Sequence, residues 1–350
     1  MDCETYWTRV LGRRVSKGFL MNDIPLLEVK NLKVYFYLRD GVVKAVEGAS
    51  FKIQRGEIVG LAGESGCGKS VTTQAILRLV PAPGKVEEGE ILLNGKNIFE
   101  FSTEEMRNIR GGKIAIIFQN ALAALNPVIS VGEQIADVYR DHKGVGKKKS
   151  LLQAVDMMRR VGIKMPEERA KQYAHEFSGG MQQRAVIAAS LMCTPDLIIA
   201  DEPTTALDVT IQMQILALLK HAQETYGTAI LYISHDLATV SRICERVIIM
   251  YAGEIVESAR TSELYGDPLH PYTQGLLSSI PTLEGGTERY LKAIEGQPPK
   301  PTEYPTGCRF APRCSFVEER CRIERPRLLN IGERMVRCIR YEDRSNGNFD

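Results

Sequence analysis

No apolar run in this 350-residue sequence approaches the roughly 20 residues that a helix needs to cross a bilayer. Stretches such as Val247 to Ala252 are the size of a core strand. A membrane role would therefore have to come through a partner. A dominant charge sign is missing too: 45 Lys and Arg against 43 Asp and Glu leave a formal net charge of +2. So small an excess gives no general attraction to nucleic acid, and none is expected as a partner. No internal repeat is found. Nor does the start of the chain read as a secretory leader, because Arg9, Arg13, Arg14 and Lys17 interrupt every apolar stretch of residues 1–21. Trp7, Val10, Leu11 and Val15 could share a face of a surface-seeking helix. The simpler expectation is a disordered extension, with the folded part beginning near Met21. Without a leader the expected compartment is reducing, which makes disulfides the weaker account of the eight cysteines.

What is present is a chain 44% hydrophobic and 25% charged, enough for one large domain or a domain with appendages. Alternating and β-branched apolar residues predict antiparallel strands over Leu26 to Val34 and Val42 to Ile53. A short apolar strand, Glu57 to Ala62, runs into a glycine-rich turn and a helix over Ser70 to Leu79, which Pro81 to Gly84 breaks. Residues 86–118 predict further strands and a short helix around Thr103 to Arg110. Between Gln119 and Glu176 the character becomes helical, with Leu151 to Val161 showing apolar spacing at three and four. Strands return at Leu197 to Ala200, Ala229 to Ser234 and Val247 to Tyr251, with helices between. That alternation predicts an α/β fold with a mainly parallel sheet covered on both faces. After Glu257 the prolines Pro281, Pro298, Pro299, Pro301 and Pro305 mark a change of character, and residues 258–350 are expected to form a separate appendage.

Gly63-Glu-Ser-Gly-Cys-Gly68-Lys69-Ser70 follows a strand and opens a helix, as G-x-x-x-x-G-K-[ST] requires. Backbone N–H groups of such a loop turn inward around phosphate oxygens, and the helix N-terminus adds its positive end. Lys69 is placed to reach the β- and γ-phosphates and the Ser70 hydroxyl to ligate Mg²⁺. Leu197-Ile-Ile-Ala-Asp201-Glu202 is an apolar strand ending in two acids. Asp201 is expected to hold Mg²⁺ and Glu202 to polarise the attacking water. Adjacent acids at a strand end are often only a solvated loop; their place after the phosphate loop favours the chemical role.

Phe177-Ser178-Gly179-Gly180-Met181-Gln182-Gln183-Arg184 precedes a helical segment, with Ser178 as its N-cap. This run resembles the signature motif of the ABC ATPases, with Met181 where the strict form has Gln. Other motifs resemble the same family in the same order. Gln119 in Ile116-Ile-Phe-Gln is similar to the Q-loop residue, Ala206-Leu207-Asp208 to the D-loop and His235 in Ser234-His-Asp to the switch histidine. The resemblance covers Leu26 to about Glu257. It implies an ABC-type nucleotide-binding domain over 22–257, a RecA-like core with an antiparallel β subdomain and a helical subdomain near 120–195. It further implies ATP as substrate, with Gly63, Ser65, Gly66, Cys67, Gly68, Lys69, Ser70 and Val71 around the phosphates. Ser70, Gln119 and Asp201 would be Mg²⁺ ligands, and Glu202, Gln119 and His235 the catalytic residues. In the head-to-tail dimers of the family, Ser178 and Gly180 meet the nucleotide held by the opposite subunit. An aromatic of Tyr35, Phe36 and Tyr37 should stack on adenine; strand alignment selects Phe36.

Asn120-Ala-Leu-Ala-Ala-Leu-Asn-Pro and, in the tail, Asp267-Pro-Leu-His-Pro-Tyr-Thr-Gln-Gly-Leu-Leu are similar to the ATPases of di- and oligopeptide importers, with nickel importers as near relatives. The resemblance implies a subunit at the cytoplasmic face of the membrane. Its partners would be a paralogous ATPase or a second copy, two permease subunits and, indirectly, an extracytoplasmic peptide-binding protein. Five, six and sixteen residues separate Cys308, Cys314, Cys321 and Cys338 from one to the next. That spacing is wider than usual zinc pairs and unlike the usual ferredoxin run. Four free cysteines are the plain alternative. Gly307-Cys-Arg-Phe-Ala-Pro-Arg-Cys resembles the family's tail motif, which implies a [4Fe–4S] cluster on the four cysteines, with Arg309, Arg313, Arg320 and Arg322 partly neutralising it. A non-transport ABC ATPase is disfavoured by the single cassette and by the lack of room for a coiled coil between Lys69 and Ser178. A degenerate scaffold is disfavoured by the presence of Glu202, His235 and Ser178.

Overall fold

The computed structural model describes residues 24–205, 207–280 and 294–342. The expectations for residues 1–21 and for Ala206 lie outside the described residues. Strands are numbered in chain order: β1 (Leu27–Leu38), β2 (Gly41–Ile53), β3 (Ile58–Ala62), β4 (Gly84–Leu93), β5 (Lys96–Asn97), β6 (Ile114–Ile117), β7 (Leu197–Asp201), β8 (Ala229–Ser234), β9 (Arg246–Tyr251), β10 (Glu254–Arg260), β11 (Leu329–Ile331) and β12 (Arg334–Val336). The chain divides into two compact units, one of residues 24–26, 54–57 and 101–231, the other of residues 27–53, 58–100 and 232–342. Strand β8 carries the chain from the first to the second.

In the second unit, β2-β1-β4-β5 form an antiparallel sheet. Val29 and Leu32 are both buried although three apart, which breaks the alternation expected of a strand. A bulge restores it. The register slips between Val29 and Leu32, Asn31 adopts φ 47°, and its N–H donates to the Ser50 hydroxyl at 2.8 Å. Strands β3 and β9 pair in parallel, β9 and β10 antiparallel. The helix Lys69–Ile76 follows β3, shorter at its C-terminal end than the sequence predicts.

Strand β10 runs through the expected boundary at Ser258, and β12 then β11 add to its edge. The buried Glu257 carboxylate organises this region. It accepts the N–H groups of Leu269 and His270, both at 2.8 Å, and takes Arg334 at 3.2 Å. Tyr251, Tyr272 and Phe310 pack beside it, with ring centroids 4.6 to 5.4 Å apart.

The first unit pairs β6 with β7 in parallel, Ile114 opposite Leu197. Its helices include Val131–Lys143, Lys147–Arg160, Gly179–Leu191 and Val209–Tyr226. Ile135, Ala136, Ala154, Met157 and Met158 are buried, as the three-and-four spacing predicts. Gly144 closes the first of these helices in the left-handed conformation. Among the described residues no helix is long and apolar enough to cross a membrane.

Candidate active site

In the second unit the glycine loop wraps around the Lys69 ammonium. Lys69 is buried, and its Nζ donates to the carbonyl oxygens of Gly63 at 2.8 Å and Glu64 at 3.0 Å. Two glycines are required by close approach. A Cβ on Gly63 would stand 2.1 Å from the Met250 carbonyl oxygen, and one on Gly68 2.4 Å from that of Ala45. Both also have φ above 100°, where side chains are strained. Gly63→Ala is therefore expected to displace the loop and weaken ATP binding at least about tenfold by calorimetric titration; unchanged affinity would overturn this account of the turn.

Gly68 is the N-cap of the helix Lys69–Ile76, and Thr72 ties that first turn back through its hydroxyl to the Gly68 carbonyl at 2.9 Å. Ser65, Gly66 and Ser70 lie exposed on the loop, Val71 is half-buried and Cys67 is buried. Burial pushes the Cys67 thiol up, against the pull of Lys69. Outside the loop, backbone bonds from Glu47 N–H to Gly253 and from Gly253 N–H to Cys67 hold its far side.

The three candidate aromatics have separate fates. Tyr35 donates its hydroxyl to Glu47 at 2.9 Å, and burial with that bond pushes its pKa up to about 12. Phe36 packs against Gly84, where an added Cβ would meet its ring at 2.6 Å. Tyr37 is exposed, with the Lys85 ammonium 5.7 Å from its ring centroid. His235 is exposed just past the end of β8, before a helix that Asp236 caps at Leu237–Ile243.

In the first unit, β7 ends at Asp201 and Glu202 follows it, both half-buried. Glu202 has φ 47°, an unusual conformation for this residue type. One of its carboxylate oxygens accepts from Gln119 Nε2 at 3.0 Å and from the Thr205 hydroxyl at 3.1 Å. Thus Gln119 and Glu202, 83 residues apart in the sequence, meet. Thr205 was not singled out from sequence; its only signal was its place three residues after Glu202. Ser178 caps Gly179–Leu191 by accepting the Met181 N–H at 3.4 Å, leaving Gly180 in the first turn. Asp208 caps Val209–Tyr226 at the Ile211 N–H, 2.9 Å.

The iron–sulfur expectation is corrected. Cys308, Cys314, Cys321 and Cys338 line one small cavity with Phe310 and Ile339. Among the described residues, however, no group of three or more His, Cys, Asp or Glu side chains is arranged to hold a metal ion. The physical reason lies in the surroundings. Desolvation pushes the Cys308 thiol up to about 12 and Cys338 up to about 11, so the free thiols rest in the neutral form. The arginines serve carboxylates instead. Arg309 lies 3.4 Å from Glu47 and 3.9 Å from Glu254, Arg313 pairs with Glu64 and Arg320 with Glu324, while Arg322 is exposed. With folded pKa values above the unfolded thiol value of about 8.5, Cys308 and Cys338 should resist iodoacetamide at pH 8 and gain reactivity only as the pH approaches those values. Mass spectrometry of alkylated native protein checks this, and rapid labelling at pH 8 would contradict it.

Two family matches fit this geometry. Residues 46–205 match the ABC transporter family, and residues 256–321 match the oligopeptide/dipeptide transporter C-terminal region. Among curated proteins, the oligopeptide transport ATP-binding protein AppD of Bacillus subtilis is 47% identical over 320 residues, spanning 91% of this chain and 97% of that protein. OppD of the same organism, also an oligopeptide transport ATP-binding protein, is 50% identical over 293 residues, 83% of this chain and 82% of that one. Among solved structures, the ATP-binding cassette MJ0796, a dimer in a post-hydrolysis state bound to ADP and Pi, aligns with a TM-score of 0.61 at 26% identity. That alignment covers 67% of this chain and 98% of the other. The chain belongs to the ABC transporter family as an ATP-hydrolysing, ATP-binding subunit, in the branch that carries the oligopeptide/dipeptide transporter C-terminal region.

Proposed function

We propose that this ABC ATPase powers a di- or oligopeptide importer, working at the cytoplasmic face of a membrane as the peripheral motor of two permease subunits. The observation that carries this reading is the likeness to AppD over nearly the whole chain, tail region included. Peptide would reach the permeases from an extracytoplasmic binding protein, so cargo is not expected to touch this subunit. The ATPase partner is a paralogous subunit or a second copy. The working division is an ATPase domain over 22–257, with its helical subdomain at 120–195, and an importer-type C-terminal domain over 258–350.

In this reading ATP lies on the loop Gly63 to Val71, with the backbone N–H groups of Ser65, Gly66, Cys67 and Gly68 toward phosphate oxygens. Lys69 bears on the β- and γ-phosphates, and Phe36 stacks on adenine. Hard oxygen donors suit Mg²⁺, and Ser70, Asp201 and Gln119 are the residues that would hold it; when bound, the ion neutralises charge developing on the transferred phosphoryl group. Glu202 orients and polarises the attacking water, held in place by Gln119 and Thr205. His235 bears on the γ-phosphate. Ser178 and Gly180 serve the nucleotide of the partner subunit, so ATP closes the pair and hydrolysis lets it reopen.

A strain lacking this gene should lose uptake of a radiolabelled tripeptide, regain it with the native chain and not with Lys69→Ala. Pull-down of the chain from native membranes should recover two permease subunits. Unchanged tripeptide uptake in the deletion strain, together with permeases of another solute class in the pull-down, would overturn the proposal.

A further inference from the structure

The phosphate loop is fastened to the tail at one residue, Glu64, from two directions. Its backbone N–H donates to the Tyr272 hydroxyl at 2.9 Å. Its carboxylate takes both terminal nitrogens of Arg313, at 2.8 and 3.0 Å, the paired geometry in which guanidinium and carboxylate bind best. Tyr272 is fully buried, and the Arg313 side chain is only 4% exposed. Arg313 is held in turn, donating to the Glu295 carbonyl at 3.1 Å and lying over the Tyr251 ring. The peptide unit that carries this N–H presents its carbonyl, that of Gly63, to the Lys69 ammonium at 2.8 Å, and the carbonyl of Glu64 itself accepts from the same ammonium at 3.0 Å. Orienting this one peptide therefore orients the lysine.

Charge gives the contact a second consequence. A carboxylate on the phosphate loop repels the anion that the loop exists to bind. It would also compete for the loop's own cation, Lys69. Arg313 removes both effects by neutralising Glu64 in a weakly screened setting. We propose that Arg313 and Tyr272 of the tail are positioning residues for nucleotide binding: they fix the Glu64 peptide and occupy its carboxylate, so that Lys69 is left for phosphate. The proposal rests on the phosphate role given to Lys69 above.

Electrostatics makes this separable from simple propping of the fold. In the full chain, Arg313→Gln is expected to weaken ATP binding about tenfold, by titration calorimetry with ATP and Mg²⁺, because Glu64 is left unpaired beside Lys69. Glu64→Gln combined with Arg313→Gln removes the unpaired charge, and should recover affinity to within about threefold of the native chain. If Arg313 merely supported the tail, the double variant would bind no better than the single. That outcome, or native affinity in Arg313→Gln, overturns the proposal. Thermal unfolding of both variants shows that each is folded at the temperature used. Lys69→Ala isolates the underlying reading: if ATP affinity survives that change, the phosphate role of Lys69 fails and the proposal with it. If affinity falls there yet Arg313→Gln binds like the native chain, only the tail's role fails.

Discussion

Glu202→Gln should lower the rate of ATP hydrolysis by about 10³-fold while leaving ATP binding near its native strength. The substitution is nearly isosteric. Both donors to the side chain, Gln119 Nε2 and the Thr205 hydroxyl, reach the same oxygen. An amide can turn its own oxygen toward them and keep the local geometry. What it cannot keep is the negative charge that polarises water, so the loss falls on the chemical step. The half-buried setting at the end of β7 strengthens that charge relative to bulk water. Phosphate release measures the rate, calorimetric titration the affinity, and size-exclusion chromatography with ATP the accumulation of closed dimer. A rate within threefold of native would refute the role of Glu202.

Glu257→Ala should cost about 3–5 kcal/mol of folding stability, the range expected when one partner of a buried ion pair is removed. The residue is wholly buried. Alanine would strand the N–H groups of Leu269 and His270 and take from the Arg334 guanidinium its buried partner, leaving it the exposed Asp267. Those N–H groups lead directly into His270, which caps the helix carrying Tyr272. His270 itself is held neutral by burial, its pKa lowered to about 3, so it offers no compensating charge. Urea denaturation should show the midpoint falling with little change in slope. A loss below about 1 kcal/mol would show that this carboxylate does not organise the tail.

How much of this was legible beforehand depended on distance along the chain. The phosphate loop, the apolar strand ending in Asp201 and Glu202, and the capping Ser178 are each contiguous, and each forms its structure from neighbours within a few residues. Strand β8 was bounded correctly at Ala229 and Ser234, since a buried strand writes itself as an unbroken apolar run. The bulge at Asn31 was not foreseen, because Val29 and Leu32 look like a loss of pattern until the slipped register is seen. Strands β11 and β12, three residues each, are too short for periodicity to register. The tail arginines were misassigned for a related reason. Their nearness in sequence to four cysteines suggested the partner, whereas the carboxylates that Arg309 and Arg313 bind, Glu47, Glu64 and Glu254, come from far earlier strands and loops. Ion-pair partners carry no sequence periodicity at all.

The fastening of Glu64 by Arg313 spans 249 residues of chain. During synthesis at about 5–20 residues per second, the loop emerges roughly 12–50 s before the arginine that holds it. Throughout that interval the growing polypeptide has its phosphate loop but not its brace, and an unneutralised acid stands beside the lysine. On the role proposed for Arg313, full nucleotide affinity would arrive only once that residue has been made.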